Sequence, residues 1–543
     1  MSRFDFSDAR INEMNEEGHA NLIAIFDETV AKYADRIAFS ALGKDLSFAE
    51  LDQQSRALAG WLLNDGGLNE GDRVAVQLPN LSQYPIAAWA ILRSGLVLVN
   101  TNPLYTAPEL EHQFNDSGAR AVIMLADFLP AAESVLPKTG IELVISTNVF
   151  DMFEAQPAPD VSLPAGVRHV TFPELVEQGK DLQIPMVQAT MSDVAVLQYT
   201  GGTTGVAKGA MLTHGNVFAY TQQSQHLTEQ SSYYHPDRTE VLIAPLPIYH
   251  VFGFSLYLMG NMVRGGKSVL IPNPRDLDGM MDVMAGETFT GFAAVNTMLV
   301  GMLQSPKFDA IDWSECMGTI SGGAALVPEV AKEWVERTAT PIYEGYGLSE
   351  TTASLTVNSE QFNQLGTVGK PLIGIEVKLV NAEGLQVAQG EEGELWVRGP
   401  NVMRGYWQRP EATEESIDEE GFFKTGDVAV EQHDGFFKIV DRLKDMVLVS
   451  GFNVYPNEIE NVVYEHPAIV EAAVVGKPDA RTGESVCLFV KSTDASLTEA
   501  DLKSFCAERL TGYKCPKQVI FLDDLPKSNV GKILRRELRD QVV

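Results

Sequence analysis

The chain has 543 residues and carries 41 Lys and Arg against 73 Asp and Glu, a formal net charge of −32. With 45% apolar and 21% charged residues it can bury a large core, which excludes a mainly disordered chain. A molecule this acidic repels nucleic acid and anionic lipid through its general field, so no nucleic-acid partner is expected without a local basic patch.

The N-terminus is acidic early and has no long apolar run, so it does not read as a signal peptide. Arg73–Leu78 reads as a strand, Tyr84–Ser94 as a helix stopped by Gly95, and Leu96–Val99 as β again. Glu109–Phe114 is helical and ends near Gly118, and Ala121–Leu125 is a buried strand. This β-α-β-α rhythm predicts an α/β fold with mostly parallel sheets. Residues 147–190 are richer in Pro and polar residues and read as a connecting region, before a strand over Val194–Tyr199. The apolar runs Tyr84–Val99 and Val251–Val263 fall short of the ~18–20 residues a bilayer span needs. The expected location is cytoplasmic, at most with peripheral contact on the inner face of the cytoplasmic membrane.

Beyond about residue 375, Val377–Val380 and Glu394–Val397 alternate with Gly- and Asp-containing turns. They predict short antiparallel strands in a small barrel-like subdomain. A boundary is placed near Arg442–Met446. After it, Pro456 opens a helix with Ile459, Val462 and Val463 on one face, closed by His466-Pro467. Ala472–Val475 is a strand, and Thr498 with Asp501 reads as an N-cap flanked by a Leu497–Leu502 staple. The cysteines Cys316, Cys487, Cys506 and Cys515 form no CxxC pair, and the histidines form no HExxH. Free thiols in a reducing compartment follow, without a zinc ribbon.

The strongest local signal is Tyr199-Thr-Gly-Gly-Thr-Thr-Gly-Val-Ala-Lys-Gly209. Glycines let a backbone approach phosphate oxygens, and free N–H groups in such a loop form an anion nest. The threonines add hydroxyl donors and Lys208 adds charge. The spacing is not that of a Walker A loop, because Gly follows the Lys. A flexible Gly/Thr turn would explain one glycine pair but not the whole string.

The string resembles the phosphate loop of adenylate-forming enzymes: acyl-CoA synthetases, peptide-synthetase adenylation domains and luciferases. Further motifs follow in that family's order: Pro247–Gly253, Ser321–Ala324, Tyr343–Thr351, Thr425-Gly-Asp427, Ile439–Met446, Ser450–Glu460 and Pro526–Ile533. The resemblance spans roughly residues 20–540. It is nearest to bacterial long-chain fatty acid–CoA ligases, through Asn273-Pro-Arg-Asp276, Gly405–Pro410, Val449–Ile459 and Thr511–Lys514.

The resemblance implies a large N-terminal domain, residues 1–441, with α/β subdomains and the barrel-like one, and a small mobile α+β lid, 442–543. It implies that Thr200, Gly201, Gly202, Thr203, Thr204, Gly205 and Lys208 hold ATP phosphates, and that Glu350 with Thr203 holds Mg²⁺. Adenine would lie on Tyr346, among Gly322, Gly323, Ala324, Glu344, Gly345 and Gly347. Thr351 would donate to the α-phosphate, and Asp427 and Arg442, near Ile439, would hold the ribose. Lys532, Glu350 and His250 form the implied catalytic set. Taken alone, each has a plainer reading: Lys532 as solvent decoration, Glu350 as a solvated loop residue, His250 as a core histidine. His250, Val251, Phe252, Val295, Asn296 and Thr297 would line an acyl tunnel, although plain core demands the same residue types. Lys444 would be the hinge, and Gly451 and Phe452 would face CoA. The implied reaction joins a medium- or long-chain fatty acid to CoA through an acyl-adenylate. An acyl-AMP ligase loading a carrier protein, or a ligase for an aryl, short or branched acid, would share the ATP motifs. Relatives of this kind suggest a homodimer. The cluster Arg535, Arg536 and Arg539 reads as a solvated helix face, with CoA phosphates or a membrane surface as its other possible partners.

Overall fold

The computed structural model describes residues 5–15, 17–157, 163–200, 207–528 and 531–542. Two large sheets carry the first part of the chain. One has seven strands, in the order Arg168–Thr171, Leu143–Thr147, Ala119–Leu125, Arg73–Gln77, Val97–Asn100, Val194–Thr200, Lys208–Thr213. Every neighbouring pair is parallel except the last, an antiparallel hairpin in which Thr200 faces Lys208. Its central strands are near-continuous apolar runs because both faces are covered. Val74, Val76, Leu98 and Ile123 enter one core cluster, while Ala75, Val97, Val99 and Val122 enter another, the period of two expected of a strand.

The second sheet has nine strands. Its middle, Ile342–Leu348, Gly318–Ser321, Gly291–Ala294, Val241–Ala244, Lys267–Leu270 and Ile37–Ala41, is parallel throughout. Between the sheets lies the helix Gln83–Arg93, buried along its whole length. Trp89 stacks on Phe26 with ring centroids 4.1 Å apart, and the buried Arg93 pairs with Asp52 at 2.8 Å. The neighbouring helix Ala107–Ser117 ends, as the sequence suggests, on Gly118 in the left-handed conformation (φ 62°).

Two expectations change. Residues 147–190 are not merely a connection: Arg168–Thr171 adds a parallel edge strand beside Leu143–Thr147, followed by the helix Phe172–Gly179 with a Thr171–Glu174 capping box. A four-residue edge strand with only Thr171 buried has too little apolar periodicity to stand out. The barrel-like subdomain is an open antiparallel sheet, ordered Glu376–Val380, Glu392–Arg398, Phe423–Glu431, Phe437–Arg442, and no closed barrel occurs among the described residues. Its inner face instead packs into the main core through Leu379, Leu395, Val397, Ala429 and Phe437. Four alternating strands pattern alike whether a sheet closes on itself or is covered by a neighbour.

The C-terminal strands Val447–Val449, Phe452–Val454, Ile469–Asp479, Gly483–Ser492 and Gln518–Phe521 form one further sheet. Two core clusters here draw their buried members from residues 447–542 alone. The helix Pro456–Tyr464 and the Thr498–Asp501 capping box occur as read, and Leu497 packs with buried Leu502. The four cysteines are free, three of them buried. Among the described residues no helix is long and apolar enough to cross a membrane.

Candidate active site

In open α/β sheets, ligands gather beyond the carboxyl ends of the strands. Ser321 and Glu344 are in register on neighbouring parallel strands, so the chain just past them brings Gly322-Gly323 and Gly345–Gly347 together. The spacing needs glycine at Gly347 and leaves little room at Gly322. A Cβ on Gly347 would lie 1.5 Å from the Ala353 carbonyl oxygen, and one on Gly322 would lie 3.1 Å from the Phe252 ring and 3.2 Å from the Gly345 carbonyl oxygen.

A cavity of about 1110 Å³ opens here. Thr200, Lys208, His250, Val251, Phe252 and Val295 line it, as do Gly322, Gly323, Glu344, Gly345, Tyr346, Gly347, Glu350, Arg442, Lys444 and Lys532. Sequence positions more than three hundred residues apart thus share one wall. Gly201, Gly202, Thr203, Thr204 and Gly205 lie outside the described residues, but their hairpin stem ends on the Thr200–Lys208 pair at the cavity.

Asp427 is buried and joins two of these groups. It accepts from the Tyr346 hydroxyl at 2.5 Å, and its other oxygen lies 3.0 Å from Arg442 Nε. The antiparallel register that pairs Asp427 with Arg442 makes this contact local to the four-stranded sheet. Glu350 is also buried. Its Oε1 accepts from the Tyr406 hydroxyl at 2.8 Å, and burial raises its pKa. Lys208 Nζ sits 5.0 Å from the centroid of the Tyr406 ring, a cation–π contact. Tyr406 belongs to a motif visible in the sequence, but its bond to Glu350 is purely tertiary. A buried carboxylate held by a single hydroxyl still gains from a cation, and a hard oxygen donor suits Mg²⁺. Glu350 therefore fits the metal, and phosphate oxygens would complete the set.

Lys532 enters from the C-terminal part. Burial, with Arg442 nearby, lowers its pKa to about 8, and Asp427 partly offsets this. The chain is held there by Thr297, whose hydroxyl donates to the Gly531 carbonyl at 3.4 Å. His250 accepts from the Phe252 N–H through Nδ1 at 3.3 Å. Burial first, then the Lys532 charge, lower its pKa to about 4, so it is neutral at pH 7. Burial pushes Glu344 up to about 7 while its carboxylate accepts from the Gly366 N–H.

Other expected residues stand back from the wall. The Thr351 side chain is fully buried, bonded to the Leu348 N–H and the Ala353 carbonyl. Asn296 caps a backbone turn, accepting from the Val327 N–H at 3.0 Å. Ile439 packs against the core, and Ala324 is half-buried outside the lining. Gly451 and Phe452 lie away from the cavity, with Phe452 exposed and stacked on Tyr513 at 4.9 Å. The basic cluster is not a solvated face. Arg535 pairs with Glu460 at 2.7 Å and lies 3.6 Å from Asp445, and Arg539 pairs with Asp445 at 3.1 Å. Of the three arginines only Arg536 is exposed. The carboxylates that neutralise Arg535 come from other elements, which the spacing of the arginines cannot reveal.

The model of the AMP-binding enzyme family matches residues 26–407, and that of the AMP-binding enzyme C-terminal domain matches 458–532. The chain belongs to the AMP-binding enzyme family. It is 44% identical to a long-chain-fatty-acid–CoA ligase of Escherichia coli O157:H7, over 97% of this chain and 96% of that protein. A long-chain-fatty-acid–CoA ligase of Bacillus subtilis is 35% identical over 96% of this chain and 94% of its own. Among solved structures, ATP-bound MatB from Rhodopseudomonas palustris superposes with a TM-score of 0.83 at 30% identity, covering 96% of this chain and 99% of that one. The anthranilate CoA ligase AuaEII in complex with anthranoyl-AMP shares the fold, with a TM-score of 0.85 at 24% identity, covering 96% and 97%. The AMP-binding enzyme fold is therefore the frame on which the cavity is built.

Proposed function

We propose that this chain is an ATP- and Mg²⁺-dependent fatty acid–CoA ligase acting on medium- or long-chain acids through an acyl-adenylate. The observation that carries the reading is one continuous cavity. It has Lys532, Glu350, Tyr346 and Arg442 at one end, the last two bonded to Asp427 behind the lining, and a largely apolar wall beyond His250. The long-chain-fatty-acid–CoA ligases of Escherichia coli and Bacillus subtilis support the acyl class.

A carboxylate oxygen attacks the α-phosphorus of ATP, the bond to the β-phosphate oxygen breaks, and diphosphate leaves. The CoA sulfur then attacks the acyl carbonyl and AMP leaves, because AMP is a far better leaving group than a carboxylate oxygen. Lys532 brings its ammonium to the carboxylate and the α-phosphate, offsetting their repulsion as charge develops in the attack. Tyr346 offers a face for adenine, and Asp427 with Arg442 holds the ribose. Lys208 and the Thr200–Gly205 loop hold the outer phosphates. Mg²⁺, held by Glu350 and Thr203, would neutralise phosphate charge. His250, neutral and at the mouth of the apolar wall, is suited to gate the passage between acyl chain and thiol. Residues 1–441 form the catalytic body and 442–543 the lid. Gly451 and Phe452, on a lid surface remote from the cavity, are available to CoA when Lys532 withdraws.

The test is CoA-thioester formation across saturated acids from C4 to C18, without carrier protein. Each buried methylene contributes roughly 0.8 kcal/mol, so kcat/KM should climb about fourfold per carbon to near C14. A preference for acetate or benzoate with no gain beyond C6 overturns the fatty-acid reading. Adenylate formation without thioester points to carrier loading.

A further inference from the structure

The cavity does not stop at the carboxyl ends of the strands. Its lining continues along the sheet face to Leu242, Gly291 and Gly318 and then to residues before the strands begin, Thr290, Met317 and Glu240. Gly291 and Gly318 face each other in register on adjacent strands and put no side chain on this face, which leaves room for Leu242 and Tyr343 to line it. A Cβ on Gly291 would lie 2.6 Å from the Leu242 side chain, and one on Gly318 2.5 Å from the Tyr343 ring, both of them cavity walls.

At this far end the wall turns from apolar to ionic. Arg264 donates to Glu240 through Nε at 3.2 Å and Nη2 at 2.9 Å, both on Oε2, and its Nη1 lies 3.4 Å from the Ser224 hydroxyl. The two charged side chains are only 8% and 13% exposed. Among the described residues, Glu240 Oε1 accepts no hydrogen bond. Arg264 and Ser224 also line the cavity.

The strands provide a ruler. Leu242 is in register with Gly291, and the lining runs on past the strand ends to Leu246 and Val295 toward the adenylation end. From Glu240 to Leu246 the chain advances six residues, at most about 20 Å at roughly 3.3 Å per residue, because the strand itself ends at Ala244. An extended alkyl chain, with bonds of ~1.5 Å at ~111°, advances about 1.25 Å per carbon, so the span holds up to about 16 carbons.

We propose that the Glu240–Arg264 pair reads the far end of the acyl chain, accepting a terminal hydroxyl on acids of about 16 carbons. This rests on the fatty acid–CoA ligase reading above. A terminal methyl at that depth would desolvate the pair and return nothing, whereas a hydroxyl donates to the Glu240 carboxylate. Specificity for the chain end is then set by two residues outside every motif of the nucleotide site.

The experiment compares kcat/KM for CoA-thioester formation by the full-length protein on saturated acids from C10 to C18 and on their ω-hydroxy counterparts. In the wild type, the ratio of ω-hydroxy to unsubstituted acid should be well below one at C10 and C12, where the hydroxyl ends in apolar cavity. It should rise to one or above near C16. The E240L/R264M double variant exchanges the pair for apolar side chains, a replacement that buried ion pairs often tolerate. In it the C16 ratio should fall about fivefold, the scale of one hydrogen bond, while unsubstituted C16 acid is still ligated. A ratio that does not change with chain length in the wild type overturns the proposal even if the variant fails to fold. So does a C16 ratio unmoved in a folded variant. Absence of thioester from every acid with the wild type would instead overturn the ligase reading itself.

Discussion

Lys532 sits among cations. Arg442, Arg535 and Lys444 all disfavour its ammonium, Asp427 alone among the strong neighbours favours it, and burial brings the pKa to about 8. The protonated form dominates in the free enzyme below that value and is lost as pH rises through it. Because the ammonium is the form that screens carboxylate against phosphate, kcat/KM for diphosphate release should fall above about pH 8. Lys532→Arg stays charged and should lack that alkaline limb, even at a reduced rate; a limb unchanged in the variant assigns the titration elsewhere. Lys532→Ala should slow adenylate formation by ~10²–10³, the usual scale for one preorganised charge contact. Thioester formation from supplied acyl-adenylate and CoA should be nearly unaffected. Running the two half-reactions separately checks both statements.

Among the elements, the connection between the strands Phe437–Arg442 and Val447–Val449 has the most to do. It is a tight turn in which the Asp445 and Met446 N–H groups both donate to the Arg442 carbonyl, at 3.0 and 3.1 Å, and the Leu443 N–H is held by Gly426. The Lys444 amide is not one of these donors, so proline there removes none of these bonds; it fixes φ near roughly −65°, restrains Leu443 and deletes the Lys444 charge. If the lid turns about this point between half-reactions, Lys444→Pro should leave adenylation largely intact and stall the second step. Hinges are commonly element-terminal residues of this kind. Equal loss of both half-reactions would mean that the turn does not pivot. The position of Phe452 fits such a motion: it lies 56% exposed on Tyr513, on a surface of the C-terminal sheet that the present cavity does not use.

Over the whole molecule, one mostly buried cation stands among the contacts that tie the two parts of the chain. Arg535 lies 3.9 Å from Asp441, at the end of the open antiparallel sheet, and 3.6 Å from Asp445 in the connection. It pairs at 2.7 Å with Glu460 in the C-terminal helix. Burial pushes Asp441 up to about 6, and the Arg535 charge is what chiefly opposes that rise. Removing one partner of a buried ionic network leaves uncompensated charge and costs about 3–5 kcal/mol. Arg535→Ala should therefore lower the thermal unfolding midpoint clearly, whereas Arg536→Ala, at an exposed position, should shift it little. A differential scanning measurement on both variants decides, and equal midpoints would remove the network from the account of stability.

The sequence by itself determined the chemistry of this protein's family and the parts of the fold that repeat locally. Runs such as Val97–Val99 and Ala121–Leu125 are apolar on both faces, short and rich in β-branched residues, and read as buried strands. Gly118 and the Thr498–Asp501 box mark helix ends through interactions a few residues long. The nucleotide motifs are contiguous because glycine spacing and strand-end placement act over a few residues, so Gly322, Tyr346, Asp427 and Lys532 are legible in the amino-acid sequence alone. Only the tertiary structure decided what those residues touch. That Tyr406 serves Glu350, that Thr351 is consumed by backbone, and that Arg535 and Arg539 are already paired depend on contacts between positions distant in the chain. The same holds for the open rather than closed antiparallel sheet, and for the ionic end of the cavity at Glu240 and Arg264. Pairing across sheets and elements leaves no local periodicity, and a charged residue has the same sequence signature whether it meets solvent or a buried partner.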